Sequence, residues 1–401
     1  MKTDNSLTLI TAHGTQSIPI IEGQRLIDSL VAAQIPWSAL AFYTKKVGDK
    51  KFRPYTGLQL KGDSLPPSGE LYAFYQRNIN PFQNRIGDMA LAPAENGEPT
   101  SEFIYADPRI IGRTAVLKQL SAAECKASVA SCVAKVLREN VTVGSKIVVG
   151  VSGGGDSNAL LHAFSQFDDY KIEVYPLILK GLPEWDSGVV RARELCKNYS
   201  LPLIEVDESE FRTMMGYKKS AVNFFDHFMK HFPEEDFEFF AIHLINSALV
   251  FKAKEIGAQF ICKGSNLDDL LCDALYSLAN KSPFRSLPVH PFRGVNSISP
   301  LWMVPKKIID GCFPNYSIEN YQERYPSFAP GRTLYYQMSY NILSYFPQMA
   351  ELILQGSAHL ANQLIQDVEF DESFGFEIVR SASLQVRHKV KKMLSEMQSD
   401  Q

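Results

Sequence analysis

Apolar and polar positions change their rhythm several times along this chain. Near the start, "SLTLITAHG" and "QSIPIIEG" are rich in Ile, Leu and Thr with a turn between them, which predicts two strands. Leu26, Ile27, Leu30, Val31 and Ile35 then recur at helical spacing, and Pro36 stops the run. "LAFYTKK" and "ELYAFYQRN" supply two further aromatic strands. Residues 81–115 carry four prolines and little periodicity, the pattern of a linker lying over the surface.

From "SAAECKASVASCVAKVLREN" onward, strands and helices alternate. "KIVVGV", "IEVYPLIL", "LPLIEV" and "FICKG" read as strands, with a helix from Ser157 and another over "SGVVRARELCKNY" among the helical segments between them. That alternation predicts an α/β fold, a parallel doubly wound sheet with helices on both faces. After residue 300 the chain is helical and aromatic. The expected organisation is a small domain at 1–80, a linker at 81–115, the α/β domain at 116–345 and a helical C-terminal segment with its tail at 346–401.

Composition narrows the picture. With 401 residues, 45% hydrophobic and 21% charged, the chain has enough apolar mass for two globular domains. A formal net charge of −3 supplies no global basic field that would recruit nucleic acid. The one local patch, "RHKVKK" at 387–392, reads as a solvated helix face or as a binding tail. Cys125, Cys132, Cys196, Cys262, Cys272 and Cys312 form no C-x-x-C pair. The opening residues have no apolar core of a signal peptide, and no run of 18 apolar residues occurs. The expectation is a cytoplasmic protein with mostly buried thiols and no membrane span.

The order of elements in the first 80 residues resembles a ubiquitin-like β-grasp domain, including Gly23, Leu26 and Leu30 at the helix start. A ferredoxin role for that fold requires four cysteines, and the first cysteine is Cys125. A sulfur-carrier role requires a free Gly-Gly end, whereas this segment runs on through "YQRNINPF". Docking of a protein partner or guiding of a substrate is the role left to it.

The densest chemistry lies in "KIVVGVSGGGDS", where a greasy strand runs through three glycines into a helix. Backbone N–H groups at such a turn are unpaired and partly positive, which suits phosphate. Gly153, Gly154 and Gly155 let oxygens come close, while Ser152 and Ser157 add hydroxyl donors. The stretch is neither a Walker A loop nor a dinucleotide fingerprint, since both spacings differ. Asp156 repels a phosphate unless a cation lies between them, which implies Mg²⁺. The plainer alternative is a tight turn with Asp156 or Ser157 capping the helix.

"SGGGDS" resembles the S-G-G-x-D-S signature of the PP-loop ATP pyrophosphatases. The resemblance implies that the loop grips the β,γ-pyrophosphate of ATP while a substrate oxygen attacks the α-phosphate. Pyrophosphate leaves, and a nucleophile then displaces AMP from the adenylated substrate. "AKEIGAQFICKGSNLDDLLCDAL" at 253–275 is similar to the A-K-x-x-G-A…G-H-N-x-D-D segment of the tRNA thiolases and tRNA(Ile)-lysidine synthetases. "SISPLWMVPKKII" at 297–309 is similar to the thiolases' R-P-L…K-x-I segment, so the likeness spans roughly residues 115–345. It implies catalytic roles for Asp156, Asp268 and Asp269, with Mg²⁺ on Asp156 and Asp269. It also implies a nucleotide contact from Gly264 beside the glycine loop, a phosphate role for Lys263 or Lys306, and adenine near "YPLIL". Helix capping is the alternative for Asp268 and Asp269, and a solvent-facing charge is the alternative for Lys263 and Lys306.

The pattern is broken in two places. The thiolases' C-x-x-C positions correspond to Glu238 and Ala241, so no iron–sulfur cluster is expected. Ser265 replaces the histidine of G-H-N, which removes a donor near the α-phosphate. Cys262, beside the motif, is either a buried strand residue or a lone reactive thiol. His243 and His290 are not placed by any motif. The leading expectation is an ATP- and Mg²⁺-dependent adenylating enzyme acting on a carbonyl oxygen, with a tRNA base as first candidate by resemblance. The acidic balance weakens the RNA candidate and keeps a small-molecule or protein substrate open. A non-catalytic ATP or AMP sensor, and a homodimer, also stay open.

Overall fold

The computed structural model describes residues 6–11, 14–21, 23–33, 35, 40–45, 48, 52–55, 70–75, 99–105, 116–181, 186, 188–217, 222–233, 237–280, 282–323, 334–336, 338–339, 342–343, 347–363, 368–371, 376–379 and 384–399. In the N-terminal part these form β1 (Ser6–Thr11), β2 (Gly14–Pro19), α1 (Leu26–Ala32), β3 (Leu40–Thr44), β4 (Arg53–Pro54) and β5 (Glu70–Tyr75). The sheet runs in the order β2-β1-β5-β3-β4, with β1 parallel to β5 and the other pairs antiparallel. Alternate residues Leu7 and Leu9 on β1, with Ile18 and Leu71, close a small core over Leu26 and Leu30 of α1.

The expected linker needs a correction. Residues 99–105 and 116–121 are a hairpin, β6 (Pro99–Tyr105) and β7 (Val116–Ser121). Its periodicity did not show because Thr100 and Ser101 are small and polar yet buried. Both are satisfied by carbonyls of one helix: Thr100 Oγ1 donates to Gly311 at 2.7 Å and Ser101 Oγ to Lys307 at 2.9 Å. Ser121 closes β7 and caps α2 (Ala122–Asn140) through a reciprocal Ser121–Glu124 box.

The α/β part continues with β8 (Lys146–Gly150), α3 (Gly155–Ser165), β9 (Glu173–Leu179), α4 (Gly188–Asn198), β10 (Ile204–Val206), α5 (Glu208–Met214), α6 (Phe224–His231) and α7 (Phe237–Ile256). β11 (Phe260–Cys262), α8 (Leu267–Asn280), β12 (Val289–Phe292), β13 (Val295–Ile298), α9 (Lys306–Cys312) and α10 (Pro314–Glu323) follow. The sheet order is β10-β9-β8-β11-β13-β12, parallel throughout except for the antiparallel edge strand β12.

Strand residues alternate between two cores, as the two-residue period requires. Ile147, Val149, Phe260, Cys262 and Ile298 pack with residues of α2, α3 and α9. Val148, Leu177, Leu179 and Ile261 pack with α5, α6 and α7. Each fully buried branched side chain of this kind contributes about 1.5–3 kcal/mol.

The C-terminal segment is helical, as expected, with a hairpin that the sequence pattern did not show. α11 (Pro347–Gln363) is followed by a hairpin, β14 (Val368–Asp371) and β15 (Phe376–Val379), and then α12 (Leu384–Ser399). α11 packs Ala350 and Leu354 on α8, and α12 buries Met393, Leu394 and Met397 in the second core. Within the "RHKVKK" stretch of α12, Lys389, Lys391 and Lys392 are exposed, while Val390 packs against the second core. No helix among the described residues is long and apolar enough to cross a membrane.

The chain leaves β8 for β9 and β10 on one side, then crosses back to β11 on the other. The strand order therefore reverses between β8 and β11, and a crevice opens beyond their C-terminal ends. Both residue stretches singled out by sequence end there.

Candidate functional site

The loop from Ser152 to Ser157 starts α3 without a side-chain cap, since Gly154 is the N-cap residue. Its three glycines serve different ends. Gly153 has φ +73, and a Cβ there would stand 2.5 Å from the Gly188 carbonyl oxygen and 2.8 Å from the Ala192 nitrogen. It is the first turn of α4, not a ligand, that demands glycine at that point. A Cβ on Gly155 would meet Ser317 Oγ of α10 at 3.1 Å. Only Gly154 is open, with Ser152 Oγ at 3.4 Å as the nearest atom to such a Cβ. The loop is braced from within, Ser152 N donating to Ser157 Oγ at 3.0 Å. From outside, Arg191 Nε and the Tyr316 hydroxyl both donate to the Gly153 carbonyl.

Asp156 sits at the centre. Its Oδ2 accepts from Lys306 Nζ at 2.7 Å and its Oδ1 from Asn266 Nδ2 at 2.9 Å. Lys306 is 8% exposed and also faces Asp310 at 3.3 Å, so a buried ammonium lies between two carboxylates. Lys306 is thus no solvent charge. Gly264 is compressed against Asp156, whose Cβ lies 3.0 Å from where a Cβ on Gly264 would be.

Asn266 begins α8 with a reciprocal cap: Asp269 N donates to Asn266 Oδ1 at 3.1 Å, and Asn266 N to Asp269 Oδ2 at 3.3 Å. Asp269 also accepts from the Tyr336 hydroxyl and lines the crevice, so it caps the helix without being withdrawn from that space. Asp268 does not reach the crevice. It is buried, and its Oδ2 accepts from the Lys306 backbone N at 2.8 Å. At the second position of α8 its side chain turns toward the start of α9 and holds the backbone of Lys306, the residue that grips Asp156.

The crevice widens into a chamber of about 900 Å³, at the large end for a ligand site. Ser152, Gly154, Asp156, Ser157, Lys263, Gly264 and Asp269 line it, as do Leu177, Ile178 and Leu179 of the "YPLIL" strand. Sequence reasoning did not place Asp273, Arg285, His243 and His290, all of which line it too. Asp273 carried a signal, since it follows Asp269 by four residues on one face of α8. Burial, then the Arg285 charge, pulls the Lys263 ammonium down to about 8, against Asp273 and Asp269. Burial also lowers His243 and His290 to about 4 each, helped by Arg285 and Lys263, so both rings are neutral near pH 7. Burial raises the Asp273 carboxyl, opposed by Arg285 and Lys263. Cys262 is fully buried and its thiol pushed far up by burial, which makes it a packed strand residue and no nucleophile.

Among the described residues no group of three or more His, Cys, Asp or Glu could by itself hold a metal ion. Mg²⁺ does not ask for such a cage, since it keeps waters and takes one or two carboxylates plus phosphate oxygens. Asp156 fits that demand: it is a carboxylate on the crevice wall whose side chain is 27% exposed.

No protein-family model matches this chain, and no curated protein matches it. Among solved structures it is similar to the U34-tRNA thiolase NcsA from Methanococcus maripaludis with its [4Fe-4S] cluster, at 17% identity and TM-score 0.48, over 61% of this chain and 82% of that one. It is also similar to an NH3-dependent NAD synthetase from Campylobacter jejuni in complex with nitrate, at 14% identity and TM-score 0.34, over 61% of this chain and 96% of that one. An NMN synthetase from Francisella tularensis gives 14% identity and TM-score 0.35, over 62% and 98% of the two chains.

Proposed function

We propose that this chain is an ATP-using enzyme of the PP-loop pyrophosphatase kind, which adenylates an oxygen of a second substrate and releases pyrophosphate. The observation that carries the reading is the uncapped start of α3, opening at the sheet's switch point onto a chamber large enough for a nucleotide and a further molecule.

In this reading the β,γ-phosphates of ATP lie against the Gly154–Ser157 backbone, and the first-turn N–H groups of α3 take up charge developing on the leaving pyrophosphate. Ser152 and Ser157 add hydroxyls. Gly153 contributes through the shape of the loop alone. Asp156, backed by Lys306 and Asn266, and with Asp269, would hold Mg²⁺, which supplies charge neutralisation on the phosphates. Lys263, protonated below about pH 8, stands where β11 ends and contributes a cation from the opposite wall. Leu177 to Leu179 offer an apolar strip for the adenine. Catalysis then comes from positioning and preset charge.

Residues 1–80 are read as a β-grasp domain, supported by the order β2-β1-β5-β3-β4, the parallel β1–β5 pair and the helix between β2 and β3. Its role in this proposal is to dock a protein partner or a substrate. A tRNA base remains the substrate suggested by motif resemblance.

The test is a pair of measurements on the full chain. A nonhydrolysable ATP analogue binds in the presence of Mg²⁺, and pyrophosphate appears when ATP is supplied with the true second substrate. Failure of the analogue to bind removes the proposal. Analogue binding with no pyrophosphate under any substrate leaves a sensor.

A further inference from the structure

The two halves of the chamber are furnished differently. At the glycine loop every charged group named above has a protein partner. Further along, Lys263 at the end of β11, Asp273 on α8 and Arg285 in the segment before β12 all face the same space. Asp273 and Arg285 keep substantial accessible surface, because they project into the chamber. Each alters the protonation of another, yet among the described residues none of the three side chains makes an ion pair or hydrogen bond.

Charges held in a protein-walled cavity without partners are unfavourable relative to paired ones. Here they stand apart in a definite sign pattern, two cations and one carboxylate, and His243 and His290 are neutral and add no further charge near pH 7. Tyr276, Phe284 and Phe292 provide apolar wall around them. The complementary guest has an anionic group for the cations, a cationic group for the carboxylate and a carbon skeleton between. A nucleobase offers neither charge.

We propose that this half of the chamber is a second-substrate pocket for a small amino-acid-like zwitterion, its carboxylate between Lys263 and Arg285 and its ammonium on Asp273. The site stands on its own as a binding pocket; its chemical use rests on the adenylation reading. Lys263 is the link between the halves, since its Cγ lies 3.7 Å from where a Cβ on Gly150 would be, and Gly150 ends the strand that feeds the loop. A carboxylate held by Lys263 is therefore the group offered to the α-phosphate. One carboxylate oxygen forms a bond to the α-phosphorus, and the bond from that phosphorus to the bridging oxygen breaks. The electron pair leaves with pyrophosphate, no proton moves, and the product is an acyl adenylate.

The test is equilibrium dialysis of the full chain without nucleotide. Three probe pools are used: the protein-forming L-amino acids, the matching 2-oxo acids lacking the ammonium, and the matching amines lacking the carboxylate. A member of the first pool is retained, and its deaminated and decarboxylated partners bind at least about tenfold more weakly. Asp273→Asn weakens the amino acid by about the same factor while leaving the 2-oxo acid unchanged, and Arg285→Gln weakens both acids. Circular dichroism and affinity for the ATP analogue confirm that the variants are folded. Equal retention of amino acid and 2-oxo acid, retention of none of the pools, or no effect of Asp273→Asn overturns the proposal. Bulk tRNA binding that both variants abolish also overturns it and assigns the pocket to a base. Since nucleotide is left out, loss of ATP-analogue binding bears on the adenylation reading alone.

Discussion

At the glycine loop, Asp156 is clasped by Lys306 and Asn266, Lys306 by Asp310, and the loop carbonyl by Arg191 and Tyr316. At the other end, Lys263, Asp273 and Arg285 stand open. The contrast separates two tasks. A step common to many substrates profits from groups fixed beforehand, because no reorganisation is then needed as charge develops. Discrimination among substrates profits from charges that only the right guest can satisfy, since a wrong guest leaves them unpaired.

The sharpest way to break this contrast is at its fixed end. Asp156→Ala is expected to lower pyrophosphate release by about 10²–10³-fold. The melting temperature should change little, because Lys306 keeps Asp310 as a partner. Turnover equal to that of the unaltered protein would remove Asp156 from the mechanism.

Next comes the loop's shape. Gly153→Ala places a Cβ 2.5 Å from a backbone oxygen at φ +73, and about 2–4 kcal/mol of stability should be lost in urea unfolding. Gly154→Ala has open space around it and an ordinary φ of −88, so it should cost no more than about 1 kcal/mol while weakening the ATP analogue.

The open end is better examined through pH. His243 and His290 titrate near 4 when folded, below the ordinary value of about 6.5. Between those values the unfolded chain binds more protons, so the contribution of these rings is full above about pH 6.5 and is lost as pH falls toward 4. Chemical denaturation at pH 7 and pH 5 should differ by an amount that shrinks by about 1–3 kcal/mol in the double variant His243→Gln, His290→Gln. An unchanged difference would mean that the rings are solvated and that the chamber is wetter than its geometry implies. The smallest effect belongs to Cys262→Ala: stability should fall by about 1 kcal/mol or less, turnover should stay within about twofold, and a thiol reagent should leave Cys262 unmodified in the native protein.

Much of this was legible in the residues. The apolar run Lys146–Val151 and the alternation after it announce a parallel sheet, because a strand covered on both faces has no reason to alternate. "SGGGDS" announces the tight glycine turn into α3. What sequence could not assign was which glycine serves which neighbour, since the Gly153–Gly188 contact joins residues far apart in the chain. Lys306 was ambiguous for the same reason: nothing within "VPKKII" shows that one lysine is buried between Asp156 and Asp310. The sequence could not separate Asp268 from Asp269, although adjacent residues on a helix point some 100° apart and two aspartates side by side cannot share one direction. The hairpin at 99–121 was hidden by polar inward positions that hydrogen-bond a helix instead of filling a core.

That hairpin bears on how the molecule can be cut. Ser101 sits so close to Gly311 that a Cβ there would stand 2.6 Å from the serine Cβ, and Thr100 and Ser101 tie down the backbone of α9. α9 begins with Lys306, the residue that grips Asp156. A fragment begun at residue 116, where the α/β pattern starts, would strip the outer brace from the helix that steers the central carboxylate. The smallest excisable unit that keeps this brace therefore has its left boundary upstream of Pro99.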